Sequence, residues 1–343
     1  MLKEELDSMK EAMFYDRCSD NAVNCFLCAH KCRILPGETG FCRVRENRNG
    51  TLHSLVYGKP VAMNLDPIEK KPLYHFLPGS FTYSIATLGC NFKCEFCQNW
   101  QISQVPEEKN DFRIPYISPE DIVKTALDSG AKSISYTYNE PTVFFEYAYD
   151  ICRLAKKKHL ANIFVTNGYL SKEAVETVSP YLDAANIDLK SFSDGFYRKF
   201  CKGSLKPVLD TIKLMNSLGI WIEITTLVIP GENDSQKELK ETAEFIAGLN
   251  KKIPWHISRF HPDFKLSKYR DTPLTSLEQA RGIGIKAGLK NVYLGNVSGV
   301  CDTNCPQCGK LLIKRDCLRV SENNVKNGKC SFCQAPFEGV CQI

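Results

Sequence analysis

The chain has 343 residues, of which 43% are hydrophobic and 24% are charged, and its formal net charge is +5. These values are typical of a globular protein with one large domain and small satellites. No run of basic residues is dense enough to indicate a nucleic-acid-binding surface, so nucleic acid is not expected as a partner. No apolar stretch has the length of a membrane span, and the charged N-terminus is unlike a signal peptide. We therefore expect a cytoplasmic protein that makes no membrane contact.

The cysteine content is the unusual feature of this composition. There are 17 cysteines, of which five lie in residues 18–42, three in residues 90–97 and seven in residues 301–341. Disulfides are rare in the cytosol, where close spacing between cysteines indicates bound metal instead.

The cysteine clusters divide the chain into three predicted domains. Residues 1–80 are expected to hold an N-terminal helix, a metal-binding segment and a linker. Residues 81–300 form the core, and residues 301–343 form a small cysteine-rich module. Apolar side chains at helical spacing in the first 17 residues predict the amphipathic helix. The linker, residues 65–80, either covers the mouth of the core or forms a tight loop.

Four cysteines in the N-terminal domain have the spacing of a metal site. They are Cys25, Cys28, Cys32 and Cys42. Four thiols within eighteen residues favour a closed structural site, for which zinc is the first choice. The three-residue interval between Cys28 and Cys32 leaves an iron–sulfur cluster open as the alternative.

Short apolar or β-branched runs alternate with helical patterns through the core. They lie at 81–88, 133–138, 162–167, 184–189, 220–229, 253–260 and 291–297. This alternation predicts an α/β fold with a parallel sheet and right-handed crossovers, either doubly wound or curved into a barrel. In both architectures functional residues gather at the carboxyl ends of the strands, so the polar segments that follow the runs should converge on one mouth.

The loop after the first run, "CNFKCEFC", carries Cys90, Cys94 and Cys97. Three thiolates are one short of a closed four-ligand site. A cubane iron–sulfur cluster offers four irons, so three cysteines leave one iron open to an outside ligand. The alternatives are a zinc site completed by a distant histidine, or thiols that bind nothing.

The loop resembles the CxxxCxΦC motif of radical S-adenosylmethionine (SAM) enzymes, in which Φ is aromatic. Cys90, Cys94, Phe96 and Cys97 match it. The resemblance implies a partial (β/α)6 TIM-type barrel with small cysteine-rich modules at its N- and C-terminal sides. It also implies a [4Fe–4S] cluster on Cys90, Cys94 and Cys97, whose open iron binds SAM. Reductive cleavage of SAM then gives methionine and a 5′-deoxyadenosyl radical, which abstracts hydrogen from a substrate.

Other strand ends resemble the SAM pocket of this superfamily. In "YTYNEPT", Glu140 matches the GGE motif that holds the methionine ammonium, although Tyr138 and Asn139 replace its glycines. Capping of the following helix is the alternative role for Glu140. "DLK", residues 188–190, resembles a DxK element of glycyl-radical-enzyme activases that lies beside SAM, and Asn99 matches the same branch.

The resemblance therefore implies a set of site residues. The candidate catalytic residues are Cys90, Cys94, Cys97, Asp188 and Lys190. The candidate cofactor-binding residues are Phe96, Asn99, Asn139, Glu140, Thr166, Asn167, Asp188, Lys190, His256 and Arg259. For Thr166 and Asn167 an ordinary strand-end turn is the alternative, and for His256 the alternative is a structural role.

The C-terminal module has the spacing of a zinc ribbon. Its two Cys-x2-Cys pairs are Cys305 with Cys308 and Cys330 with Cys333. Two such pairs with a gap of this length predict a structural zinc ion, and a rubredoxin-type iron is the alternative. The chain is thus expected to hold one or two structural zinc ions.

Longer stretches resemble one group of radical SAM enzymes. "CFLCAHKC" with "GETGFCRVREN", "SLVYGKP", "DPIEKKPLYHFLPGS" and "WHISRFHPD" resemble the AmmeMemoRadiSam-system radical SAM enzymes, which are pyruvate-formate-lyase-activating-enzyme-like. The resemblance implies reduced flavodoxin or ferredoxin as electron donor. Memo-like and AMMECR-like proteins, or a protein substrate, are the expected partners.

Three functions follow as hypotheses. The first is a radical SAM enzyme of this group that acts on an unidentified substrate. The second is a glycyl-radical-enzyme activase, which abstracts hydrogen from a glycine of a partner protein. The third is a zinc-ribbon adaptor for nucleic acid or protein, with an inert barrel and no catalysis.

Overall fold

A computed structural model of the chain describes residues 9–105, 114–297, 299, 301–316 and 318–343. Short antiparallel strands come first. Their bounds are β1 Tyr15–Arg17, β2 Val23–Cys25, β3 Arg33–Ile34, β4 Arg45–Arg48 and β5 Thr51–Ser54. β1, β2 and β3 form one sheet, and β4 pairs with β5.

The predicted N-terminal helix is wrong over residues 9–17, and residues 1–8 lie outside the described residues. Glu11 bridges to His53 and β1 pairs with β2 instead. The backbone N–H of Met13 donates to the buried carboxylate of Glu146 at 2.7 Å. These tertiary partners satisfy the backbone outside a helix, and they override the helical spacing of the apolar residues.

A single eight-stranded sheet forms the centre of the molecule. Its strands are β6 Ala62–Pro67, β7 Phe81–Ala86, β8 Ser133–Tyr136, β9 Ala161–Thr166, β10 Ala184–Asp188, β11 Trp221–Val228, β12 Trp255–Arg259 and β13 Val292–Gly295. They are ordered β13-β12-β11-β10-β9-β8-β7-β6, so the sheet is open between β6 and β13. β7 to β13 are parallel, and β6 runs antiparallel to β7.

The predicted α/β fold with a parallel sheet is confirmed. Each of the seven predicted runs forms one of the strands β7 to β13. The antiparallel edge strand β6 was not predicted, because its residues lie in the segment that reads as a turn-rich linker.

Helices follow the strands and cover the sheet. The α-helices are α1 Trp100–Ser103, α2 Pro119–Asp128, α3 Phe145–Lys157, α4 Lys172–Val178, α5 Asp194–Phe196, α6 Leu205–Ser217, α7 Gln236–Leu249 and α8 Leu274–Lys286. Three 3₁₀ helices span Ile68–Lys70, Pro141–Phe144 and Phe264–Leu266, and a π-helix spans Tyr197–Cys201. Among the described residues, no helix combines the length and apolarity needed to cross a bilayer.

Local sequence explains where several helices begin. Ser118, Ser171 and Ser235 each precede a helix, and each side chain accepts the backbone N–H three residues later. This N-capping bond satisfies one of the donors that a helix leaves free at its start. All four residues of β8 are buried, as expected for a parallel strand covered on both faces.

The C-terminal segment forms a separate set of short antiparallel strands. They are β14 Thr303–Asn304, β15 Leu311–Asp316, β16 Arg319–Asn323, β17 Val325–Lys326 and β18 Lys329–Cys330. Arg315 of β15 joins this segment to the linker, because its guanidinium donates to the carbonyl oxygen of Tyr74 at 2.6 Å. Leu77 and Val340 add a backbone hydrogen bond of 2.6 Å.

Tyr74 and His75 of the linker lie at the amino ends of the strands, whereas Lys71 contacts Tyr138, which follows the carboxyl end of β8. Glu223, on β11, accepts backbone N–H groups from Tyr74 and His75 at 3.0 Å and 2.8 Å. It also pairs with His256 Nε2 at 2.7 Å. Burial opposes the charge on Glu223, but the hydrogen bonds from His256 and from the backbone N–H of Tyr74 hold its pKa below the ordinary value. The buried carboxylate thus fastens the linker to the sheet.

We predict that Glu223→Gln lowers the free energy of unfolding by about 2–3 kcal/mol, since it removes charge-assisted hydrogen bonds to buried donors. Urea denaturation followed by circular dichroism measures the change. Glu244→Gln, at a surface ion pair with Lys240 on α7, is the matched control and should leave the midpoint unchanged. Equal midpoints for Glu223→Gln and the unchanged chain would contradict the assigned role of Glu223.

Candidate functional site

A cavity of about 220 Å³ lies at the carboxyl ends of the parallel strands. Most of the residues predicted for the site line it together. These are Cys90, Cys94, Phe96, Cys97, Asn99, Asn139, Glu140, Asn167, Asp188 and Lys190. They come from the ends of four different strands, which a parallel sheet places at one edge.

The three-cysteine loop is held in place from two sides. Its backbone N–H groups at Lys93 and Glu95 donate to carbonyl oxygens of Cys201 and Phe200, at 2.9 Å and 3.0 Å. The acceptors lie in the π-helix, a form that is frequent at functional sites. Cys97 Sγ lies 3.1 Å from the hydroxyl oxygen of Ser103. The positions of the thiols are therefore set by the fold around the loop.

Gly89 allows the loop to pack against the N-terminal domain. Its φ is +89°, and a Cβ atom here would lie 2.8 Å from the carbonyl oxygen of Cys42 and 2.7 Å from Val44 Cγ1. Only glycine tolerates both the dihedral angle and the close approach. Cys90 follows directly, so this contact helps to position the first thiol.

Glu140 is buried in the segment that follows β8. Two roles are expected for its carboxylate: capping of the following helix and binding of the methionine ammonium of SAM. Its side chain caps the 3₁₀ helix by accepting the N–H of Thr142 at 3.1 Å, so the capping role is present. Oε1 also accepts the hydroxyls of Thr142 and Thr166, while Oε2 accepts the N–H of Asn167 at 2.7 Å. Burial raises the pKa of Glu140, although these hydrogen bonds oppose the shift. Oε2 keeps free acceptor capacity toward the cavity.

Asparagine side chains tie the neighbouring strand ends to the cysteine loop. Asn139 Nδ2 donates to the carbonyl oxygen of Gly89 at 2.8 Å, and Asn99 Nδ2 donates to that of Tyr138 at 2.7 Å. Asn139 Oδ1 is buried without a hydrogen-bond partner among the described residues. Since such an atom is costly to leave unpaired, it marks a place where a donor from a ligand fits.

Asp188 and Lys190 form an ion pair that also lines the cavity. Lys190 Nζ lies 3.0 Å from Asp188 Oδ2 and 5.7 Å from the ring centre of Phe96. Burial alone would lower the pKa of Lys190, but Asp188, Cys94 and Cys201 raise it well above the ordinary value. Lys190 therefore brings a permanent positive charge to the cysteine loop.

Three of the predicted cofactor contacts do not line the cavity. Thr166 lies behind Glu140 and supports it. Arg259 donates to the carbonyl oxygen of Thr272 at 3.0 Å and lies 3.7 Å from Asp271. His256 lies near the amino end of β12, where it pairs with Glu223. A strand places residues at its two ends far apart, so the position of His256 does not support its predicted contact with a cofactor.

The sequence reasoning missed several residues at the site. Tyr138, Ser103, Thr225 and Ser258 line the cavity, and Cys201 lies beside it, hydrogen-bonded to Cys94. That hydrogen bond, together with burial, raises the pKa of Cys94 well above the ordinary value. Only the replacement of the GGE glycines by Tyr138 and Asn139 pointed to Tyr138, whose φ is +67°. Nothing in the local sequence marks Cys201.

Two further groups of thiols lie away from this cavity. The C-terminal group is compact, with Sγ–Sγ distances of 3.7 Å for Cys305 to Cys333 and 3.9 Å for Cys308 to Cys330. The four ligand atoms all lie within 4.8 Å of one another. The N-terminal group, Cys25, Cys28, Cys32 and Cys42, lines a separate small cavity behind the cysteine loop.

The residues at the main cavity fit an iron–sulfur cluster with SAM. Cys90, Cys94 and Cys97 supply three thiol ligands, the number that leaves one iron of a cubane open. Asn139 Oδ1 and Glu140 Oε2 supply acceptors for an ammonium group, and Lys190 supplies a positive charge.

The comparisons with known proteins agree with this chemistry. The Radical SAM superfamily matches residues 84–246. An uncharacterized protein of Methanocaldococcus jannaschii is 46% identical over 332 residues, which cover 95% of this chain and 98% of the relative. The pyruvate formate-lyase-activating enzyme of Clostridium pasteurianum is 21% identical over 207 residues, 56% of this chain and 84% of that enzyme.

The fold comparison gives the same result. The crystal structure of a radical SAM methyltransferase from Sphaerobacter thermophilus matches with a TM-score of 0.51 at 15% identity, over 69% of this chain and 71% of that chain. At this identity the likeness shows the fold alone. The superfamily match spans the three-cysteine loop and strands β8 to β11, so this part of the chain is similar to radical SAM enzymes in sequence as well as in fold.

Proposed function

We propose that this chain is an AmmeMemoRadiSam-system radical SAM enzyme that cleaves SAM reductively. The observation that carries the proposal is the convergence of Cys90, Cys94 and Cys97 with Glu140 and Lys190 on one cavity. A [4Fe–4S] cluster on the three thiols would supply one electron to the sulfonium of SAM, giving methionine and a 5′-deoxyadenosyl radical that abstracts hydrogen from a substrate. A non-catalytic adaptor would leave this convergence unexplained.

Two hydrogen-bond acceptors near the three-cysteine loop suit the methionine ammonium of SAM. Oε1 of Glu140 is occupied by three protein donors, so Oε2 is the atom available to an ammonium group. Asn139 Oδ1 is the neighbouring unpartnered acceptor. Because the carboxylate is buried, its attraction for a cation is stronger than it would be in water.

Lys190 and Asp188 are suited to bind the carboxylate and the ribose of SAM. Asp188 holds the Lys190 ammonium in an ion pair, and the backbone N–H of Lys190 donates to the hydroxyl of Tyr197 at 3.0 Å. A charge held in this way is organised before a ligand arrives, which lowers the cost of binding.

Protein partners follow from the same proposal. A reduced flavodoxin or ferredoxin would supply the electron, and Memo-like or AMMECR-like proteins are the proposed companions. For the C-terminal cysteines we propose zinc, because sulfurs 3.7–3.9 Å apart suit thiolates around one tetrahedral ion.

We predict that the reconstituted and reduced protein produces 5′-deoxyadenosine from SAM under anaerobic conditions, and that Cys94→Ala abolishes this product. The variant should lose about four irons per chain, since a three-cysteine site cannot spare a ligand, and should keep its zinc. Chromatography of the nucleoside and metal analysis measure both effects.

Cys152→Ala is the matched control for this experiment. Cys152 is fully buried between α3 and the sheet and lies outside the cavity, so its variant should keep both iron and product. Absence of 5′-deoxyadenosine from the unchanged protein at full cluster occupancy would overturn the proposed reaction.

We predict that Glu140→Gln weakens SAM binding by about 10- to 100-fold, the loss of one hydrogen bond to a charged group of roughly 1.5–3 kcal/mol. Equilibrium binding of SAM to the cluster-loaded protein gives the dissociation constant. Glu176→Gln, on the surface of α4, should bind SAM normally. Unchanged affinity in a Glu140→Gln protein with full iron content would show that Glu140 acts only as a helix cap.

A glycyl-radical-enzyme activase is the second candidate for the reaction. Two observations favour it: Asp188 and Lys190 line the cavity with Asn99, as the resemblance to activases implies, and an activating enzyme is among the relatives. In this case the substrate is a glycine in a partner protein.

For the activase, we predict a doublet in the electron paramagnetic resonance spectrum of a candidate partner after incubation with the enzyme, SAM and reductant. The doublet arises from the α-hydrogen of a glycyl radical, so the partner's Gly→Ala variant is the control and should show none. Turnover of SAM without any radical on the partner would exclude that partner as substrate.

A further inference from the structure

The four cysteines of the N-terminal domain meet at one cavity: Cys25 ends β2, Cys28 and Cys32 lie between β2 and β3, and Cys42 lies in the turn before β4. Cys25, Cys28, Cys32 and Cys42 all line it, and its volume is about 20 Å³. Cys25 and Cys42 are buried. Sequence alone left zinc and an iron–sulfur cluster open as occupants of this site.

The distances between the sulfurs distinguish a single zinc ion from an iron–sulfur cluster. Around one zinc ion each thiolate lies about 2.3 Å from the metal, which places neighbouring sulfurs roughly 3.8 Å apart. The C-terminal cysteines have this spacing. Within the described parts of the chain, theirs is the only group of three or more His, Cys, Asp or Glu ligand atoms that all lie within 4.8 Å of one another. No three of the N-terminal sulfurs all lie within 4.8 Å of one another, so they do not form the compact tetrahedral set that a single zinc ion needs.

A cubane cluster requires this wider spacing, because each cysteine binds a different iron. Cys90, Cys94 and Cys97 belong to the same wide class, since they surround their cavity without meeting the 4.8 Å limit.

Two unpaired donors in the cavity wall point to sulfur acceptors. Arg45 Nε and Asn91 Nδ2 are both buried without a hydrogen-bond partner among the described residues, and both residues line the cavity. The other guanidinium nitrogens of Arg45 are used by Glu146 and by the carbonyl oxygen of Met13. Hydrogen bonds to the sulfurs are a regular feature of iron–sulfur sites, and they would satisfy both donors.

We propose that Cys25, Cys28, Cys32 and Cys42 bind a second [4Fe–4S] cluster, fully ligated by protein. His30 is not required as a ligand, since its Nε2 lies 2.7 Å from the carbonyl oxygen of Asn91. With no open iron, this cluster is not a second SAM site.

The proposed second cluster would lie directly beside the three-cysteine loop. Asn91 lines the N-terminal cavity and follows Cys90 in the chain, and Gly89 packs on Cys42. The second cluster would therefore supply a one-electron centre on the far side of the loop that holds the first. The assignment of the metal does not depend on the reaction proposed above.

The test uses the full chain with Cys90→Ala, Cys94→Ala and Cys97→Ala combined, which removes the catalytic cluster only. After anaerobic reconstitution with iron and sulfide, the triple variant should keep about four irons, about four sulfides and about one zinc per chain. The unchanged protein should hold about eight irons and about one zinc. Mössbauer spectroscopy identifies the cluster type in both proteins.

The outcomes separate the alternatives. Two zinc ions without iron in the triple variant would overturn the proposal in favour of zinc, and one zinc without iron would show that the N-terminal thiols bind no metal. If the triple variant fails to fold, the unchanged protein decides, because about four irons instead of eight also overturns the proposal. Cys28→Ser with Cys32→Ser is the reciprocal variant and should lose half of the iron while it keeps the zinc.

Discussion

The structure depends on one geometric constraint, which is that parallel strands joined by helices all end at the same edge of their sheet. β7 to β13 obey it, and the loops that follow them meet at one cavity. Residues separated by about a hundred positions, such as Cys90 and Lys190, therefore become neighbours without any local signal between them. The hydrogen-bonded carboxylate of Glu140 then fixes the ends of β8 and β9 relative to each other.

The three-cysteine loop lies between the main cavity and the cavity lined by the N-terminal cysteines. On one side its thiols face the cavity proposed for SAM, and on the other Gly89 and Asn91 pack against the N-terminal cysteines. A glycine with positive φ makes this approach possible. The N-terminal domain thus contributes to the position of the three-cysteine loop, and a metal bound by its cysteines would affect that position.

The amino ends of the strands serve a structural role. The buried carboxylate of Glu223 holds the linker, and Arg315 connects the linker to the C-terminal strands. This arrangement explains why His256 and the residues of "KKPLYHF" look functional in the sequence. His256 is polar because it pairs with Glu223 at the amino ends of the strands, whereas Lys71 pairs with Asp66 and lies 4.4 Å from the ring centre of Tyr138, which lines the main cavity.

Sequence by itself determined the strand–helix alternation, the seven parallel strands and the three-cysteine loop, because periodicity and cysteine spacing are local properties. It also placed Asn139, Glu140, Asp188 and Lys190 at strand ends. Only the tertiary structure decided that residues 9–17 form no helix, that β6 joins the sheet edge and that His256 lies away from the cavity. It also separated the compact C-terminal thiols from the widely spaced N-terminal ones. Each of these depends on distances between segments far apart in the chain, which spacing along the sequence does not encode.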